Sequence, residues 1–133
     1  MKIAFATNDS VHINAHFGWA KQLAVYEVST EGYEFVNTLT FDGDLKEDGN
    51  EDKLVPKLEA LSDCTIVYVS AIGGSAAARL IRKKVTPVKA RSEEDLITDI
   101  LNKLVQTLKG NPPPWLRKAL QQKEKTFEDF EEE

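Results

Sequence analysis

A chain of 133 residues, 41% hydrophobic and 29% charged, is long enough for one domain with a real core and has the composition of a soluble globular protein. Its formal net charge of -5 argues against a general nucleic-acid binder. No apolar run approaches a membrane span and the first residues lack a signal-peptide pattern, so a cytoplasmic protein is expected. The single cysteine, Cys64, excludes an intramolecular disulfide and an all-cysteine metal site.

Residues 2–7 (KIAFAT) are small and apolar and read as a buried first strand. Asn8-Asp9-Ser10 ends it with turn chemistry. Residues 11–18 carry both histidines, His12 and His16, without a helical period, and read as a structured loop with a short extended piece. Residues 22–29 form a second strand, and Gly32 closes a tight hairpin connection to a third over 33–41. Phe35, Leu39 and Phe41 are expected on one face of that third strand. The glycine- and acid-rich residues 42–52 read as an exposed connector; an EF-hand fits neither their ligand order nor their end.

Leu54, Leu58 and Leu61 recur at helical spacing over residues 53–62, with Pro56 tolerable near the helix start. Strand four, 64–70, runs into Ala71-Ile72-Gly73-Gly74-Ser75 and a helix to about residue 84. A short fifth strand covers 85–90. Ser92 followed by Glu93, Glu94 and Asp95 predicts the start of a long helix that Gly110 stops. Asn111-Pro112-Pro113-Pro114-Trp115 reads as stiff and non-helical, 115–123 as a short basic helix, and 124–133 as an acidic end with Phe127 and Phe130. The domain is expected to span 1–109, with 110–133 as a tail.

The order β-β-β-α-β-α-β-α predicts two hairpin connections and then helical crossovers. Crossovers require parallel pairing, with strand four beside strand one. The expected fold is α/β, of the ribonuclease H-like type: a five-stranded mixed sheet flanked by helices. A ligand crevice belongs at the C-terminal ends of strands one and four, at Asn8 to Gly18 and Ala71 to Ser75.

Nuclease chemistry needs converging carboxylates. Strand one offers Asp9, but the end of strand four offers none. The double glycine fits an anion cradle, yet the phosphate-loop lysine and the G-x-G-x-x-G pattern are absent; a tight strand-to-helix turn explains it equally. Cys64 lies at the far end of its strand and reads as a small buried hydrophobe. Ser75 and His16 lack a third, orienting residue for nucleophilic catalysis. His12, between Val11 and Ile13, either tucks into the sheet edge or serves as a ligand. His16 precedes Phe17, which can anchor the loop, and Gly18, which permits close backbone approach.

Phe5-Ala6-Thr7, Val11-His12, His16-Phe17-Gly18, Ala20-Lys21 and Ala71-Ile72-Gly73-Gly74 with Ala76-Ala77-Ala78-Arg79-Leu80 resemble the dinitrogenase iron–molybdenum-cofactor biosynthesis family. The segment from Gly110 through Pro112-Pro113-Pro114-Trp115 to Leu120 resembles one subgroup of it. The resemblance implies a ribonuclease H-like fold without nuclease activity and a small cytoplasmic carrier rather than an enzyme. Its cargo would be an iron–sulfur cofactor precursor, NifB-co, or intermediates up to the iron–molybdenum cofactor, bound transiently. The partners implied are the NifB synthase and the NifEN scaffold, with no nucleic acid and no membrane. A cluster that is handed on should not be fixed by four thiolates. On this resemblance His16 is the metal ligand, with His12 and Cys64 behind it. The backbone of Gly73, Gly74 and Ser75, with Lys21 and Arg79, is the cradle; Arg79 lying along its helix in solvent is the alternative. A regulator or scaffold without its own cluster, and an enzyme using His16 as base, are the competing readings. Trp115, Leu116 and Leu120 either dock a partner or cap the domain's own core.

Overall fold

The structure, a computed structural model, describes residues 1–41 and 54–121. The acidic connector at 42–52 and the acidic end at 124–133 lie outside the described residues. The strands are β1 (Lys2–Ala6), β2 (Gln22–Ser29), β3 (Gly32–Thr40), β4 (Ile66–Val69) and β5 (Thr86–Lys89). They form one five-stranded sheet in the order β3-β2-β1-β4-β5. β1 pairs antiparallel with β2, and β2 with β3, as hairpin connections require. β1 pairs parallel with β4, and β4 with β5, as helical crossovers require. The expected mixed sheet flanked by helices is therefore the one observed. Among the described residues no helix is long and apolar enough to cross a membrane.

Alternation along β1 sends Ile3 and Phe5 to one face and Ala4 and Ala6 to the other, and all four are fully buried. The sheet is thus covered on both sides. On the first face α1 (Val55–Ala60) and α2 (Gly74–Arg82) bring Leu58, Leu61, Ala76 and Leu80 against Ala4, Ala6, Val67 and Val69. On the second, α3 (Ile97–Lys109) sets Ile97, Leu101, Leu104 and Val105 against Ile3, Phe5, Ile66 and Tyr68. Of α2, Ala76 and Leu80 are the side chains buried against the sheet, while Gly74, Ser75 and Ala78 are exposed.

Three local expectations are corrected. Phe35 does not share a face with Leu39 and Phe41. A bulge sets Val25 opposite Asn37 but Tyr26 opposite Phe35, so one extra β3 residue reverses the side-chain parity. Phe35 then meets Tyr26 edge-on at 5.5 Å between ring centroids, while Leu39 and Phe41 pack on the first core. α3 does not start at Ser92. Residues 92–95 form a turn, with the Asp95 N–H donating to Ser92 O at 3.1 Å and the Glu94 N–H to Ser92 Oγ at 3.0 Å. Leu96 stays extended because it bridges to His12. Finally, Pro114 is helical: the helix expected from Trp115 begins one residue earlier, and α4 covers 114–121 of the described residues, with Pro114 in the first turn, where its missing N–H costs nothing.

α4 is packed onto the domain. Leu116 is fully buried and Ala119 nearly so, and Leu120 lies against the same second-face core. Trp115 points away and is 45% exposed. Leu116→Ala should therefore lower unfolding stability by about 2–5 kcal/mol, the cost of truncating a fully buried leucine. The urea midpoint measures it; a change within about 0.5 kcal/mol, as for a surface position, would show that α4 is not part of the core.

Candidate functional site

The loop after β1 is built by turn chemistry. The Thr7 hydroxyl, wholly buried, accepts from the Asp9 N–H at 3.3 Å and the Ser10 N–H at 2.9 Å. Ser10 takes a left-handed conformation with φ 64°. Asp9 in turn accepts from the backbone N–H groups of Val11 (2.9 Å) and His12 (2.8 Å) and from the His12 ring at 2.6 Å. These contacts hold its carboxyl well below the ordinary carboxylate range, the His12 N–H contributing most, then the His12 ring and the Val11 N–H. The acid that a nuclease would need for metal is thus committed to folding the loop.

Residues 11–17 then run across the end of the sheet and pair on both sides. The Ile13 N–H donates to Asp95 O and the Ile97 N–H to Val11 O, each at 2.9 Å, so His12 bridges Leu96. Farther on, the Ser70 N–H donates to Ala15 O at 3.0 Å and the Phe17 N–H to Ala71 O at 2.9 Å, so His16 bridges Ala71 in parallel sense. Ile13, Ala15 and Phe17 are buried; the alternate residues His12, Asn14 and His16 are left partly exposed. The extended piece anticipated in this loop is therefore a two-sided edge carrying both imidazoles.

The two histidines present different atoms. Asp9 is an anion and only accepts, so the His12 Nδ1 carries a proton, and the lone pair of the neutral ring is on Nε2. His16 is reversed. Its Nδ1 accepts from the Gly18 N–H at 3.1 Å, which places the proton of the neutral ring on Nε2. Ligation of metal through either nitrogen of a neutral His16 ring gives up that contact. The His16 ring also stacks on Trp19, with centroids 4.9 Å apart and planes at 25°. Trp19 is 61% exposed, so the pair faces water.

The glycine turn adjoins this edge. Gly73 precedes α2 with φ -74° and ψ 155°, and both Gly73 and Gly74 are exposed. A Cβ built on either meets nothing within 4 Å. Neither backbone strain nor crowding within the fold requires glycine there, and the space above them is open. Ser75 is exposed in the first turn of α2; Arg79 is half-buried farther along it. Lys21 is exposed just after the short 3-10 helix Phe17–Trp19. Cys64 is buried before β4, at the end opposite Ala71, about 23 Å away along an extended chain. Hence His16, Ala71 and the glycine turn come together, and Cys64 stands apart. A cavity of about 460 Å³ lies on the α3 side, between Tyr68, Lys89, Arg91 and Lys103; neither His16 nor the glycine turn lines it.

Two residues escaped the sequence reading. Trp19 is the stacking partner of His16. Lys57 is fully buried, and its Nζ donates to the carbonyl oxygens of Phe17 (2.8 Å) and Gly18 (3.2 Å). A signal existed for Lys57: it lies on the same stripe as Leu54, Leu58 and Leu61, where a charge is out of place.

Residues 1–107 match the family model described as dinitrogenase iron-molybdenum cofactor. Over 133 residues, 100% of this chain and 90% of the relative, the sequence is 56% identical to Protein NifX of Herbaspirillum seropedicae. That match includes the proline–tryptophan segment beyond the family model, which is the subgroup the tail resembles. Over 87 residues, 65% of this chain and 17% of the relative, it is 39% identical to FeMo cofactor biosynthesis protein NifB of Bradyrhizobium diazoefficiens. Among solved structures, PH0822 superposes with a TM-score of 0.61 at 16% identity, over 80% of this chain and 91% of its own; this likeness concerns the fold.

Burial pushes the Lys57 ammonium down from the ordinary 10.5 to about 8. Above pH 8 the unfolded chain holds a proton that the native chain has released, so stability rises with pH until the lysine of the unfolded chain titrates. Tyr68, which burial pushes up from 10.0 to about 12, acts oppositely above pH 10, because there the unfolded chain ionises first. Urea midpoints taken between about pH 7.5 and about pH 9.5 should increase, and Lys57→Met should flatten that rise.

Proposed function

The chain belongs to the dinitrogenase iron–molybdenum cofactor family and has a role in nitrogenase cofactor biosynthesis; from that membership we propose that it is a carrier of cofactor precursors and not an enzyme. Its cargo is an iron–sulfur precursor such as NifB-co, or an intermediate up to the iron–molybdenum cofactor. It takes this cargo from the NifB synthase and delivers it to the NifEN scaffold in the cytoplasm. The similarity to part of a NifB supports a shared cargo-binding unit. The strand order and mixed pairing support reading the fold as ribonuclease H-like; the cargo-binding domain of 1–109 is extended by α4, whose Leu116 is buried in its core, and the exposed Trp115 is what that segment offers a partner.

The observation that carries the proposal is the pairing of His16 with Ala71. It sets an imidazole beside an open glycine backbone at the C-terminal ends of β1 and β4. A preassembled cluster satisfies most of its irons with its own sulfides, so a carrier contributes few bonds. An imidazole is a fitting terminal ligand, and exposed backbone N–H groups with lysine and arginine suit an anionic guest. In this reading His16 ligates metal after releasing the Gly18 N–H. Its Nδ1 partner is a backbone group, so the bond can be remade when the cargo leaves. His12, aligned by Asp9, is the second imidazole. The backbone of Gly73, Gly74 and Ser75, with Lys21 and Arg79, forms the cradle, and side chains at 73 and 74 would intrude on the guest rather than on the fold.

The test is anaerobic mixing of the purified protein with isolated precursor, followed by gel filtration. Visible absorbance should travel with the wild type. His16→Ala should bind at least roughly a hundred-fold more weakly, since losing the ligand itself exceeds the loss from a group that only orients it. A folded wild type that takes up no cluster would sink the carrier reading in favour of a regulator without cargo.

A further inference from the structure

Lys57 is the one fully buried charged side chain among the described residues, and no carboxylate described lies within ion-pair distance of it. Its stem passes from α1 into the first core, and its Nζ sits 5.6 Å from the ring centres of both Phe17 and Phe41. Such a lysine costs stability relative to methionine, which would fill the same space without desolvating a charge. The two rings offset part of that cost by cation–π attraction, but they engage the charge and not the N–H donors.

Its hydrogen bonds both go to the 3-10 helix Phe17–Trp19, to the carbonyl oxygens of Phe17 and Gly18. A helix of three residues has little stability of its own. Within it the Ala20 N–H reaches Phe17 O at a long 3.4 Å, and the Trp19 N–H reaches His16 O at 3.1 Å. This turn also supplies the Gly18 N–H that orients the His16 ring and the Trp19 ring on which it stacks. The ammonium grips the turn from beneath while the two rings face water above.

We propose that Lys57 is a positioning residue of the cargo site: its buried ammonium, by holding the Phe17 and Gly18 carbonyls, fixes the turn that sets His16 against Trp19 and aims the imidazole at the guest. The part of this that concerns cargo rests on the carrier reading; the part that concerns the turn does not. Lys57 touches no cargo itself and acts through the backbone.

Trp19 fluorescence in a Trp115→Phe background reads the turn, with His16→Ala marking the signal of a lost stack. Lys57→Met should move the Trp19 signal most of the way to that mark while far-ultraviolet circular dichroism stays unchanged. It should also weaken precursor uptake roughly ten- to a hundred-fold, whereas Lys57→Arg, which keeps a cation and donors, should hold the wild-type signal and bind within about three-fold. If Lys57→Met does not fold, Lys57→Gln, with one amide donor on a shorter arm, carries the same readings. A folded Met or Gln variant with the wild-type Trp19 signal overturns the proposal. So does undiminished uptake in a variant whose Trp19 signal has moved. Absence of uptake by the wild type, with the Trp19 change intact, refutes the carrier reading and leaves Lys57 as the anchor of the turn.

Discussion

Two backbone hydrogen bonds, from Ser70 N–H to Ala15 O and from Phe17 N–H to Ala71 O, tie the histidine loop to the end of β4. They continue the parallel pairing of β1 with β4 beyond the point where β1 itself ends. Without them the loop would leave the sheet, and His16 would have no fixed relation to the glycine turn. Their mates at Val11 and Ile13 fasten the other half of the loop to the start of α3. One stretch of seven residues, 11–17, thus joins both faces of the sheet: Ile13 enters the second core, and Ala15 and Phe17 enter the first.

This joining shapes the elements around it. Leu96 is held extended by its bridge to His12, which delays α3 until Ile97. Asp9 spends its acceptors on Val11 and His12, so the loop turns before it pairs. Lys57 closes the far end from below. The imidazoles are left in a rim whose backbone is hydrogen-bonded to β4 on one side and to the start of α3 on the other, which holds a side chain at a fixed angle on a surface loop.

The two rings are also chemically distinct for a structural reason. A carboxylate partner leaves a neutral His12 with its lone pair on Nε2, whereas a backbone N–H partner leaves a neutral His16 with a protonated Nε2. Residue type alone makes them equivalent. A permanent metal site would favour the His12 arrangement, in which a carboxylate backs the ligand. A site that must release its guest is better served by a ring with a competing backbone bond to return to, which is the arrangement of His16.

The hairpin pairings, the parallel pairing of β4 beside β1 and the mixed five-stranded sheet were legible in the residues. Apolar runs with hairpin-length or helix-length connections leave few sheets to build, and parallel crossovers open at the C-terminal strand ends. His16, Gly73 and Gly74 stood out for the same local reasons. What the tertiary structure alone decided involves partners distant in sequence. A bulge reversed the face of Phe35, a bridge to His12 displaced the start of α3, and Leu116 joined the core from a segment that reads as a tail. Lys57 reaches Phe17 and Gly18 from about forty residues away. Periodicity records which side of an element is apolar, but which buried side chain meets a given carbonyl, as Lys57 meets those of Phe17 and Gly18, depends on packing between elements that no local pattern encodes.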